Sequence, residues 1–364
     1  MPRSTQEALR EEVERCRRLT EALLQDPAGR SRLAPEHLRR AAYAYLERPA
    51  KRLRPALVLM CCRATGGDDA QALPAAAAVE VFHTWTLVHD DVIDNDALRR
   101  GQATVHVAAA GWAATELGAG PEAAAAYGRD VAILAGDALQ AWATELLLAC
   151  AQRGVPERLV LGLAARMQTF LNHRLLEGEL LDVQFSYRPV DTLSEEEVLT
   201  MLRLKTGVLL EYCATAGAAI GLGCLPGESP LVDGLGEFAS LCGVAFQLQD
   251  DILGVSGDER KLGKPVGSDL REGKVTTLVL HALKTADAGR RETLRRALGR
   301  SQASAAEVAD AHRCLVELGS VQYTRDLALG FLRRALQCLH RALPPAPTRD
   351  LLEALAEGMV ERSS

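Results

Sequence analysis

The sequence predicts a single all-α domain over residues 1–364, and three observations carry that reading. Apolar residues recur at helical spacing almost throughout the chain. Ala and Leu abound while β-branched runs are few, which favours packed helices over sheets. Hydrophobic residues reach 48% with only 4% aromatics, so the core must be sizeable and built largely from small side chains.

The clearest helical runs cover residues 73–94, 131–150, 156–177, 194–221, 232–253 and 310–343. Breakers fall between them at Gly66-Gly67, 118–121, Gly154-Val155-Pro156, 187–191 and 223–230. Pro156 suits the first turn of the helix that it opens. Ser194 followed by Glu195, Glu196 and Glu197 resembles a capped start with acids in the first turn. The Ala-rich stretches 75–78 and 123–126 suit close helix packing. Residues 256–274 read as a Gly- and Lys-containing loop, and no strand–turn–strand alternation is visible.

Composition excludes several classes. A formal net charge of −6 without a long basic stripe gives no support for nucleic-acid binding. Nine cysteines without a CxxC pair read as reduced thiols in the core. The first 18 residues are charged and lack an apolar signal region, and no uninterrupted apolar run reaches membrane-span length. The expectation is a soluble, cytoplasmic protein with no transmembrane segment.

Two acidic segments hold the chemistry. The first is His89-Asp90-Asp91-Val92-Ile93-Asp94, followed by Arg99-Arg100-Gly101. On a helix Asp90 and Asp94 stack on one face, with Asp91 about 100° around. The second is Gln247-Leu248-Gln249-Asp250-Asp251, with Lys264 and Lys274 downstream. Both end apolar runs, where uncompensated carboxylates are costly. A shared divalent cation is the simplest counter-ion, and an open set of hard oxygen donors suits Mg²⁺ with substrate phosphates. The first motif alone is equally a solvated helix end with an acidic turn. An EF-hand fails, because position six of a loop starting at Asp94 is Arg99 rather than Gly. A His–Asp metal phosphohydrolase, suggested by His83 and His89-Asp90, leaves the second acidic motif unexplained. Lys51 and Arg54, three residues apart, could grip one diphosphate or form a solvated basic turn. Lys205 sits among apolar residues, snorkelling or functional.

Taken in order, these motifs resemble the trans-isoprenyl diphosphate synthases (polyprenyl synthetases). The matching stretches are Lys51-Arg52-Leu53-Arg54-Pro55, Glu80-Val81-Phe82-His83-Thr84-Trp85, Asp90-Asp91-Val92-Ile93-Asp94 and Arg99-Arg100-Gly101. Leu134-Ala135-Gly136-Asp137, Gly178-Glu179-Leu180-Leu181-Asp182, Lys205-Thr206-Gly207, Phe246-Gln247-Leu248-Gln249-Asp250-Asp251, Gly263-Lys264-Pro265 and 269–274 follow. The resemblance spans roughly residues 40–362 and implies an antiparallel helical bundle around a deep central cavity, as a homodimer. It also implies roles. Mg²⁺ between Asp90/Asp94 and Asp250, with Asp91 and Asp251 beside them, would hold an allylic diphosphate. Arg99, Lys205 and Lys264 would neutralise the leaving pyrophosphate. Lys51, Arg54, His83 and Arg100 would anchor isopentenyl diphosphate, with Asp182 and Lys274 also in the substrate site. Thr206 and Gln247 would turn oxygen dipoles toward the allylic cation.

The expected activity is Mg²⁺-dependent head-to-tail condensation giving a short-chain product, geranylgeranyl before farnesyl diphosphate. Trp85 and Phe82, five and eight residues before Asp90, would floor the tunnel for the growing chain or be ordinary core aromatics. Three departures stand out: Ala50 for a common Gly, Glu179 for the usual Gln, and Gly254 for the last Asp of the second motif. Two rivals share the fold. A class I terpene cyclase needs a second metal motif at four-residue steps, which neither Asp250 nor Asp251 begins. A non-catalytic regulatory subunit would be expected to lose the first acidic motif or the paired arginines.

Overall fold

The computed structural model describes residues 4–26, 33–256, 270–271, 273–300 and 302–360. The chain divides into two compact units, one of Met1–Met167 with Cys213–Val232, the other of Gln168–Tyr212 with Asp233–Ser364. The predicted all-α class holds in both. The one exception among the described residues is a two-stranded hairpin, β1 (Leu98–Arg99) and β2 (Gln102–Ala103).

The first unit contains α1 (Thr5–Leu24), α2 (Glu36–Tyr43), α3 (Leu53–Ala64), α4 (Asp69–Ile93), α5 (Val105–Glu116), α6 (Pro121–Leu148) and α7 (Glu157–Arg166). Its axis is α4, which begins at an Asp68 cap and is buried without a break from Ala75 to Phe82. Small side chains allow that burial, since Ala75 to Ala78 are all fully enclosed. Helix α1 starts on a Ser4–Glu7 capping box. Its Arg15 reaches Asp69 of α4 at 2.6 Å, and Arg63 of α3 meets the same carboxylate at 2.5 Å.

The second unit contains α8 (His173–Tyr187), α9 (Glu195–Leu202), the start of α10 (Val208–Leu222), whose remainder from Cys213 belongs to the first unit, and α11 (Pro230–Ser256) from Asp233 onward. Then come α12 (Thr277–Thr285), α13 (Ala288–Ala297), α14 (Ala305–Glu317), α15 (Ser320–Ala342) and α16 (Pro347–Val360). Ile252 and Val255 at the end of α11 share a core with Leu278, Val279, Leu294 and Leu315. Helix α10 passes from the second unit into the first, where it meets α3 backbone to backbone. A Cβ on Gly217 would stand 2.1 Å from the Val58 carbonyl, so only glycine fits there.

Several expected elements are subdivided. The run 310–343 breaks at Gly319, whose φ of 74° ends α14 and opens α15. The runs 156–177 and 194–221 each contain a π-helical segment, Met167–Asn172 and Arg203–Gly207. Pro156 caps α7 from one residue outside. Ser194 forms the expected capping box with Glu197. All nine cysteines are free, and eight are buried. Two helical stretches, Pro121–Arg153 and Pro230–Val255, are long and apolar enough to span a membrane by length and composition, although charged residues interrupt both. The second has 67% of its apolar window buried inside the protein, as a core helix would. Most of the predicted loop 256–274, including Lys264, lies outside the described residues.

Candidate active site

The first unit gathers its predicted residues around the end of α4. A tight hairpin carries Arg99 and Arg100 back over it. Leu98 pairs with Ala103 and Arg99 with Gln102, leaving Arg100 and Gly101 as the two turn residues. Both have positive φ, 54° and 75°, the signature of a type I′ turn. Glycine is at ease there, whereas Arg100 is held in a sparsely populated conformation. The absence of strands expected from the sequence is corrected by this hairpin, which is too short to produce an alternation.

Arg99 then turns its guanidinium onto α4. Its Nε lies 2.7 Å from Asp91 Oδ1, and its Nη2 lies 3.1 Å from Asp90 Oδ2. Asp91 is completely buried and also accepts from the Tyr45 hydroxyl. The Tyr45 oxygen accepts in turn from the Val105 amide at 3.2 Å. Burial opposes the Arg99 charge, but the hydrogen bond and charge of Asp91, helped by Asp90, more than offset it and push its pKa up. Burial and Asp91 likewise raise the Tyr45 hydroxyl pKa. The three aspartates therefore differ. Asp91 braces Arg99, Asp90 is partly exposed, and Asp94 caps the helix in solvent.

A small pocket beside this end is lined by Arg48, Ala50, Arg52, Glu80, His83, Arg99 and Arg100. Four guanidiniums against one carboxylate make it a natural anion site. Burial first, then the charges of Arg54, Arg99, Arg100 and Arg52, hold His83 well below its usual pKa, so it faces an anion as a neutral imidazole. Lys51 is exposed and Arg54 half-buried, next to the lining residues Ala50 and Arg52.

Arg52 and Glu80 stand in the sequence motifs, but neither has an assigned role there. Arg52 is 4% exposed and adopts φ 49°, its Nη1 2.5 Å from Glu80 Oε1 and its Nη2 2.5 Å from the Leu46 carbonyl. This buried pair fixes the loop that presents Lys51 and Arg54. The signal was available: Glu80 is the lone charge in a buried apolar run and needed a partner. Arg48 ties the hairpin to the same loop, donating to the Ala103 carbonyl at 2.7 Å.

The second unit gathers another set on α8, the π-helical segment Arg203–Gly207 and α11. Lys205 Nζ lies 2.6 Å from Asp182 Oδ2 and 3.0 Å from Glu179 Oε2. Gly178 permits this, because a Cβ there would stand 2.4 Å from the Lys205 amide nitrogen. The Thr206 hydroxyl donates to Gln247 Oε1 at 3.2 Å, and Gln247 Nε2 donates to Asp251 Oδ1 at 3.2 Å. Asp251 is 4% exposed, while Asp250 beside it is half-buried. Lys274 is half-buried just before α12. Asp258, Lys264 and Asp269 lie outside the described residues. The π geometry inserts one extra residue per turn, a device that often accompanies functional sites.

Among the described residues, no three Asp, Glu, His or Cys side chains converge on a metal-sized centre. The donors on offer are nonetheless carboxylate oxygens, and Mg²⁺ ordinarily completes its shell with water and phosphate rather than a protein cage.

A polyprenyl synthetase family model matches residues 35–315. The chain belongs to the polyprenyl synthetase family. A short chain isoprenyl diphosphate synthase of Methanothermobacter thermautotrophicus is 35% identical over 333 residues, covering 91% of this chain and 92% of the relative. The crystal structure of a geranylgeranyl pyrophosphate synthetase from Pyrococcus horikoshii superposes with a TM-score of 0.82 at 32% identity, over 99% of this chain and 100% of the other. A geranylgeranyl pyrophosphate synthase from Corynebacterium glutamicum, complexed with isoprenyl diphosphate and magnesium, gives 0.79 at 27% identity over 99% of both chains. The family resemblance and the isoprenoid-synthase fold inferred from the motifs are thus borne out. The chain is a short-chain prenyltransferase.

Glu179 has a measurable consequence. It places a second carboxylate on Lys205, an ion pair that competes with any anionic ligand for the ammonium. Replacing Glu179 with Gln is expected to lower KM for the allylic diphosphate by about 2- to 10-fold, the range of one partly exposed ion pair. Initial-rate kinetics check this, and an increased KM would contradict it.

Proposed function

We propose that this chain condenses isopentenyl diphosphate with an allylic diphosphate to give geranylgeranyl diphosphate, with farnesyl diphosphate as the next candidate product. The single observation that carries the reading is the pocket lined by Arg48, Arg52, His83, Arg99 and Arg100. It is a cationic site beside Asp90 and Asp94, and a cyclase, which uses one substrate, has no need of it.

Isopentenyl diphosphate is anchored by Lys51, Arg54, His83 and Arg100. His83 contributes a neutral N–H and adds no charge to an already cationic pocket. Asp90 and Asp94 on α4 are carboxylates that would hold Mg²⁺, and Asp250 and Asp251 on α11 are a second pair of the same chemistry. Bound there, the metal would supply charge neutralisation to the allylic diphosphate. The Corynebacterium glutamicum relative, complexed with magnesium, supports that choice. Arg99, Lys205, Lys264 and Lys274 carry positive charge to the leaving group, and Asp182 keeps Lys205 in position. As the allylic C–O bond breaks, charge develops on pyrophosphate and the same cations stabilise it. The isopentenyl double bond attacks the allylic cation, and the new cation loses a proton to the departing pyrophosphate. Thr206 and Gln247, already hydrogen-bonded, present fixed oxygen dipoles to the cationic carbon.

We assign chain-length control to Trp85 and Phe82 on α4. Both are buried, with ring centroids 4.9 Å apart in an edge-on contact. Trp85 lies five residues, about 7.5 Å of helix, before Asp90. Trp85→Ala is expected to lengthen the main product by at least one isoprene unit in a radiolabelled chain-length assay. An unchanged product would remove Trp85 from this role.

A single domain is proposed, a reading supported by a family match that runs across both compact units. A homodimer is also proposed. Ile133, Leu134 and Leu148 on α6 are 46%, 59% and 42% exposed, an apolar stripe that a second copy would cover. A cytoplasmic location completes the proposal, in keeping with thiols left free.

The test is incubation of the protein with Mg²⁺, isopentenyl diphosphate and each of dimethylallyl, geranyl and farnesyl diphosphate, followed by sizing of the dephosphorylated products. A discrete geranylgeranyl product is expected. No elongation from any starter would overturn the reading.

A further inference from the structure

Trp85 is not held by packing alone. Its indole Nε1 donates to Nδ1 of His89 at 3.1 Å, one helical turn along α4. On the other side of the ring, His89 Nε2 lies 3.1 Å from the carbonyl oxygen of Ile133 on α6. An indole N–H can only donate and a carbonyl can only accept. The two contacts together therefore assign His89 the tautomer with hydrogen on Nε2.

The facing helix makes room for this arrangement. At Gly136 of α6, an added Cβ would stand 1.9 Å from His89 Nε2, so any larger residue evicts the imidazole from its place. The rings of Trp85 and His89 meet edge-on, with centroids 5.9 Å apart. The result is a relay from the α6 backbone through His89 to the indole. It fixes a large side chain that would otherwise choose among several rotamers.

We infer that His89 and Gly136 are positioning residues for product length: they lock the indole of Trp85 so that it stops the growing prenyl chain at one size. This rests on the prenyl synthase reading and on Trp85 as the stop. His89 adjoins Asp90, so one helical segment carries both the diphosphate end and the lock on the stop. A loosened indole swings aside part of the time, and the product ladder then gains longer members.

Three variants separate the parts of the relay. His89→Asn keeps an acceptor near the position of Nδ1 and loses the contact with Ile133. His89→Gln keeps a donor near Nε2 and loses the acceptor for Trp85. Gly136→Ala pushes the imidazole out without touching it chemically. The products are sized with a fixed starter, alongside hydrogen-exchange of the Trp85 indole N–H in ¹⁵N spectra, assigned by its loss in Trp85→Phe. Thermal melting confirms that each variant is folded.

His89→Gln and Gly136→Ala are expected to raise the ratio of longer to main product by about 2- to 10-fold, the range of one neutral hydrogen bond. Exchange of the Trp85 N–H should quicken in both, and His89→Asn should restore both readouts towards wild type. A wild-type ladder and unaltered exchange in His89→Gln and Gly136→Ala would overturn the inference. A wild-type protein that makes no prenyl product would overturn the synthase reading, and with it any role in product length. The exchange data would then still decide whether His89 holds the indole.

Discussion

Arg99→Ala is expected to lose both turnover and stability, by about 10³-fold in kcat and about 3 kcal/mol in unfolding free energy. The two losses share one cause. Asp91 is fully buried, and Arg99 is its ionic partner at 2.6 Å. Removing the guanidinium leaves a buried carboxylate that keeps, among the described residues, the Tyr45 hydroxyl as its hydrogen-bond donor. The same guanidinium holds Asp90, the carboxylate assigned to the metal, so the site loses its alignment as the core loses its compensation. Arg99→Lys should recover part of the stability and less of the activity, because a single ammonium cannot reproduce the fork that spans Asp90 and Asp91. Denaturant melts and steady-state kinetics on the two variants check this. An Arg99→Ala protein as stable as wild type would show that Asp91 is not carried by that pair.

Asp90→Asn and Asp91→Asn should separate function from stability, although the two residues are adjacent. Asp90 is partly exposed and stands on the same helix face as Asp94. Losing its charge is expected to lower kcat by about 10³-fold while stability stays within roughly 0.5 kcal/mol. Asp91 is enclosed between Tyr45 and Arg99, and its amide replacement should cost about 2–3 kcal/mol, with the loss of activity following from the loosened Arg99. Paired melts and rates distinguish the two. Equal effects on stability would mean that burial does not divide the acidic motif as described.

Much of this was legible from the sequence, and the reasons are physical. Long periodic runs of Ala and Leu admit few structures other than buried helices, so 73–94 and 232–253 emerge within a few residues as α4 and α11. The acidic motifs were visible because carboxylates at the ends of apolar helices contradict burial unless something compensates them. Less was visible where a few residues set geometry by backbone conformation. The hairpin that aims Arg99 and Arg100 is two residues per strand, too short for any alternation, and its cue was only Arg100-Gly101 between polar neighbours. The π segment at Arg203–Gly207 has no compositional signature, and Gly178 of α8 comes against its Lys205 backbone only in the folded chain. Tyr45 and Arg48 lie in a short basic connection that resembles many solvated turns, and only the fold brings them to Asp91 and the hairpin. The lock of His89 on Trp85 needed Ile133 of α6, which lies 44 residues further along the chain than His89.

Condensation of two diphosphates is the central claim, and pyrophosphate release tests it most directly. Release should require isopentenyl diphosphate, an allylic diphosphate and Mg²⁺ together, with one pyrophosphate appearing per carbon–carbon bond made. Pyrophosphate released from the allylic substrate alone, at a rate indifferent to isopentenyl diphosphate, would contradict the account and point to a cyclase.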